Sequence, residues 1–241
     1  MRLGRGCGAR AARARAHAEV IGHGLWHWPG ALTDSVPPPV AHEVIEKAAR
    51  AGVWVQPTLQ TVYGDRSVFD PGIVDDPRYA LAIPRGIIAY QHTDAAKAAR
   101  QALADSYLKI AAEAPKIIGI GGARATATLE LMHAAGVRLL FGSDTPAGEG
   151  IGNPPGLSER LEIQRWAEAG IPPAEILRAA TLDNARAFGL AKELGSIEAG
   201  KRADLLLLSA DPLSSVAAYD STETVILNGE PLKPEALRPA N

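Results

Sequence analysis

Two side chains of the kind that move protons or bind cations close apolar runs in this chain. His23 stands between Gly22 and Gly24 at the end of AEVIGHGL, residues 18–25. Asp144 follows VRLLFG, residues 137–142, and Ser143. An imidazole titrates near neutral pH and is a common metal ligand. A carboxylate serves as a general acid or base. Each has a plainer alternative: His23 as a packed histidine, and Asp144 as a turn residue, since Ser-Asp-Thr-Pro is good turn chemistry. Trp26, His27 and Trp28 follow His23 and are candidates for lining a substrate pocket, with packing as the alternative.

Strands and helices must hold these residues in place. Residues 18–25 and 137–142 read as buried parallel strands, and VWVQPT, residues 53–58, reads as another, closed by Pro57. Between them lie a helical pattern from Val40 to Gly52, an irregular Asp/Pro/Gly-rich stretch over 62–84, and helices over 93–114 and 123–135. Further helices are predicted over 157–169 and 176–188. The alternation argues for a parallel sheet with helices outside it, where chemistry gathers at the carboxyl ends of strands. Both His23 and Asp144 fall at that end. Beyond Gly195 the pattern turns to short β segments: 196–199 and 203–208 are expected to form strands paired with 224–227, with Asn228-Gly229 as the hairpin signal.

Composition narrows the function classes. Of 241 residues, 46% are hydrophobic and 22% charged, with a net charge of −2, so no broad basic field invites nucleic acid or an anionic membrane. The apolar run Leu205–Leu208 is far shorter than the roughly 20 residues of a membrane-spanning helix. Cys7 is the single cysteine and makes no internal disulfide. Residues 1–17 are an Arg/Ala-rich segment, expected to be unstructured; it lacks the apolar core of a secretory signal, which favours the cytoplasm. His42, His92 and His133 sit in or beside helical stretches and read as surface residues, and Lys201 as part of a turn.

FGSDTPAG (residues 141–148), AATLDNARAFGL (179–190) and GSIEAGKRADLLLLSADPL (195–213) resemble the C-terminal half of the amidohydrolase superfamily, nearest to its imidazolonepropionase-like and prolidase-like members. EVIGHGL, VWVQPT and VRLLFGSD resemble the last strands of that family's barrel. The resemblance implies an α/β fold: a partial (β/α)8 TIM-type barrel of three strand–helix units over 18–194, with a small β lobe over 195–241. It implies hydrolysis of amide, cyclic amide or related C–N bonds by a metal-activated water, the metal being zinc. Carried over, Asp144 is the carboxylate that contacts the metal and exchanges a proton with the water, and His23 is a metal ligand or water contact. Trp26 and His27 would face the small-molecule substrate.

The family's His-x-His pair is missing, and His17 is too close to His23 for the fifth-strand ligand. Catalytic zinc usually takes three protein ligands; this chain offers two. The expectation is therefore a C-terminal half, weakly active alone and prone to associate with itself or a partner through open sheet edges. The second reading is a catalytically silent fragment or pseudoenzyme that acts as a binding or assembly module.

Overall fold

The computed structural model describes residues 20–28, 34–110, 112–145 and 151–238. The Arg/Ala-rich segment, with Cys7 and His17, lies outside the described residues. β1 (Val20–Gly22) is followed by α1 (Pro39–Ala51). Pro39 enters that helix where a missing N–H costs nothing. Gly52 ends it at φ 65, the left-handed conformation that a helix-terminating glycine supplies. β2 (Trp54–Gln56) pairs in parallel with β1, Val20 opposite Trp54 and Gly22 opposite Gln56.

From β2 the chain passes through α2 (Leu59–Gly64), two 3-10 turns (Asp65–Val68 and Pro71–Asp75), α3 (Tyr79–Ala82), α4 (Arg85–Gln91), α5 (Asp94–Ile110) and α6 (Ala114–Ala134). Residues 62–84, predicted to be irregular, are thus largely helical. β3 (Arg138–Leu139) then pairs in parallel with β2, and the Leu140 N–H donates to the Val55 carbonyl just beyond it. α2 packs closely on α6 because Gly122 has no side chain: a Cβ there would lie 2.9 Å from the Tyr63 ring. The main core gathers Ile45, Val55, Leu59, Leu129, Met132, Trp166 and Ile176 between sheet and helices.

The expected partial (β/α)8 barrel is corrected by this topology. The parallel sheet has the order β1-β2-β3, and among the described residues β1 and β3 pair only with β2. Closure needs tilted strands staggered around one continuous ladder. These strands are three, three and two residues long. Among the described residues, the chain between β2 and β3 is taken up by helices and turns and adds no further strand. The fold is mixed α/β with an open parallel sheet.

After β3 come α7 (Ser158–Glu168), α8 (Pro173–Arg178), a π turn (Ala179–Asp183) and α9 (Asn184–Ala187). A second, antiparallel sheet follows: β4 (Leu205–Leu208), β5 (Thr222–Leu227) and β6 (Glu230–Leu232). The two-residue turn between β5 and β6 has Asn228 at φ 56 and Gly229 at φ 86, as a hairpin matched to strand twist requires. Residues 196–199, predicted as a strand, form no ladder; Lys201 Nζ instead donates to Glu198 across a turn. Among the described residues no helix is long and apolar enough to cross a membrane.

Candidate active site

Three strand ends converge. His23 directly follows β1, Thr58 comes two residues after β2, and Asp144 lies beyond β3. All three are non-glycine residues with left-handed backbone, at φ 61, 51 and 56. His23 Nδ1 is 3.2 Å from Thr58 Oγ1 and 3.6 Å from Asp144 Oδ2. The His23 and Asp144 side chains are 58% and 45% exposed, so solvent and small molecules reach both. Gly24 keeps the β1 tip close to the β2 tip: a Cβ there would lie 2.9 Å from the Pro57 backbone.

The residues around Asp144 are tied from several directions. The Asn184 side-chain amide accepts from the Phe141 N–H (3.2 Å) and donates to the Phe141 carbonyl (2.9 Å), standing in for a strand partner. Thr61 Oγ1, on α2, donates to the Ser143 carbonyl (2.9 Å). Ser143 Oγ is 2.9 Å from Thr145 Oγ1 and donates to Glu159 on α7 (3.1 Å). Beyond residues 146–150, which lie outside the described residues, the chain is fastened again. There the Gly152 carbonyl accepts from Gln60 Nε2 and Tyr79 Oη, and the Gly152 N–H donates to Ser67 Oγ. Burial pushes the Tyr79 phenol up to about 12.

Thr58 itself is set by α7. Glu162 is fully buried, and its carboxyl group accepts from the Leu59 N–H (3.0 Å), the Gln60 N–H (2.5 Å) and Trp166 Nε1 (2.8 Å). Burial raises its pKa to about 7, against the pull of those donors. The sequence reading missed both residues. Thr58 follows a strand-closing proline, which is a usable signal. Glu162 lies in SERLEIQRW, where a charged residue reads as solvated.

The proposed substrate-side residues lie beside this cluster. The rings of Trp26 and His27 stack at 3.6 Å and 30°. Burial, with Arg124 and His23 nearby, lowers the His27 pKa. Arg124 lies 4.3 Å over the Trp28 ring and donates to the Trp28 carbonyl. Two further histidines are engaged elsewhere: His92 pairs with Asp75 and His133 with Glu175. Among the described residues no three His, Cys, Asp or Glu side chains come together as a metal site. His23 and Asp144 therefore contribute two donors, and these residues alone do not complete the three-ligand set of a catalytic zinc.

Parallel strands with helical crossovers thus carry an imidazole and a carboxylate at their carboxyl ends. The chain belongs to the amidohydrolase family, whose sequence model matches residues 41–232. It is similar to an imidazolonepropionase of Geobacillus kaustophilus, 27% identical over 79% of this chain and 49% of the relative. It is also similar to a 5-methylthioadenosine/S-adenosylhomocysteine deaminase of Moorella thermoacetica, 33% identical over 45% of this chain and 29% of the relative. In fold it is similar to a molinate hydrolase, with a TM-score of 0.55 at 19% identity over 93% of this chain and 40% of that one. The chain spans half or less of the length of these relatives. The reading as a C-terminal half alone is corrected: the family domain runs from residue 41 to residue 232, nearly the whole chain.

Proposed function

We propose that the chain hydrolyses carbon–nitrogen bonds of a small molecule, amide or cyclic amide, with Asp144 as the proton-exchanging carboxylate. The observation that carries this reading is the 3.6 Å approach of Asp144 to His23 at the open ends of the strands. The half-exposed Asp144 carboxylate takes a proton from the attacking water and returns it to the departing nitrogen. His23 stands beside it, oriented by Thr58. Burial and the nearby Arg124 favour the neutral form of His27, a hydrogen-bonding ring toward substrate, backed by Trp26. Membership of the amidohydrolase family supports a divalent metal as cofactor class, and this reading takes it to be zinc. His23 and Asp144 are the donors this part of the chain would offer it.

The test is turnover of a panel of N-acyl amino acids, dipeptides and cyclic amides with zinc or manganese added. Weak hydrolysis is expected, because His23 and Asp144 supply only two metal donors, and Asp144→Asn should lower kcat at least about 100-fold. Turnover unchanged in the variant, or none on any compound, overturns the proposal.

A further inference from the structure

Thr58 occupies the N-cap position of α2, where a threonine oxygen ordinarily accepts a hydrogen bond from one of the first helical N–H groups. Here it makes no such bond. Its Oγ1 is instead 3.2 Å from His23 Nδ1. The N–H groups of Leu59 and Gln60 that would be left without partners are both taken by Glu162, which reaches across from α7. Thr58 also holds φ 51, ψ 51, a conformation that β-branched residues avoid. Such strain persists only where the surroundings enforce it.

We propose that Glu162 is a positioning residue for the His23–Asp144 site: by capping α2 in place of Thr58, it releases the Thr58 hydroxyl to orient the His23 ring. The proposal rests on the functional reading above only in calling that pair the active site. Trp166, donating to the same carboxylate from one turn along α7, fixes the side-chain orientation that makes the reach possible. The carboxylate accepts three N–H donors at once, which an amide side chain of the same shape cannot do, because its own NH2 would face a donor.

The experiment compares the full chain, Glu162→Gln, Thr58→Gly and the double variant, all metal-free and at pH 8, where the Glu162 carboxyl is ionised. Two readouts are taken: thermal unfolding, and the long-range 1H–15N correlations of the histidine rings. In Glu162→Gln the His23 Nδ1 signal should shift or broaden, while those of His42, His92 and His133 stay in place. The Tm should fall by roughly 4–10 °C. Glycine takes φ near +50° without steric cost, so Thr58→Gly should recover at least half of that loss. It should also remove any further effect of Glu162→Gln on His23. If Glu162→Gln alone fails to fold, a folded double variant supports the proposal. A double variant that also fails, a Tm loss of equal size in both backgrounds, or an unmoved His23 signal in a folded Glu162→Gln overturns it. Neither readout uses substrate or metal, so a failed hydrolysis assay leaves this test standing.

Discussion

His23, Thr58 and Asp144 share a left-handed backbone at neighbouring strand ends, but the three are not equivalent. Histidine and aspartate visit that region more readily than most residues, whereas a threonine there is an outlier. The cost at Thr58 makes sense when its hydroxyl has a task that no other conformation allows. Thr58→Val keeps the branched shape and deletes the oxygen. It should lower kcat/KM about tenfold, while stability falls by about 1 kcal/mol or less, because the lost hydrogen bond is part-buried and faces an exposed ring. Assay and urea denaturation on one preparation check both halves. A stability loss larger than this, with unchanged kcat/KM, would place Thr58 in the scaffold.

At the scale of elements, α7 is the support behind two strand ends: Glu159 reaches Ser143 next to Asp144, and Glu162 reaches the amides next to Thr58. Its burial has a pH signature. The Glu162 carboxyl is raised to about 7 from an ordinary 4.5, so between those values the folded chain keeps a proton that the unfolded chain releases. Its contribution to stability is fully present below about pH 4.5 and is lost as pH rises through 7, in total about 3 kcal/mol. Urea unfolding at pH 5 and pH 8 should show that decline, and Glu162→Gln should flatten it. Asn184→Ala should cost about 1–3 kcal/mol, because it strips the partners from both Phe141 backbone groups; equilibrium unfolding measures it.

The placement of His23 and Asp144 at neighbouring strand ends was legible because each ends a short apolar run and stands beside turn residues. Glu162 was not, because its partners lie about a hundred residues away and a one-dimensional pattern places a glutamate on the wet face of an amphipathic helix. The segment 62–84 was misread for a related reason. Its prolines and aspartates cap short turns, as Asp70 does by accepting from the Gly72 N–H, so breaker residues here punctuate helices. Residues 196–199 carried strand-like composition without a neighbouring strand to pair with, and composition alone cannot supply one.

For the whole molecule, a groove of about 700 Å3 runs between α8–α9 and the antiparallel sheet, with Phe188, Ile197 and Leu206 exposed along it. α7 touches that second sheet's surroundings as well as the site. Arg160 grips Asp220 through two hydrogen bonds, 2.7 and 2.6 Å, from the residue that lies between Glu159 and Glu162. Asp220 is mostly exposed, so the pair adds about 1 kcal/mol or less to stability. Its larger consequence is mechanical. α7 ties the turn that leads into the C-terminal sheet to the strand ends that carry the site. Any contact that favours one placement of α7 is therefore coupled to the site, and the coupling is reciprocal. Amide exchange at Leu59 and Gln60 reads the linkage directly: Asp220→Ala, some sixty residues downstream of Arg160, should speed it without unfolding the chain.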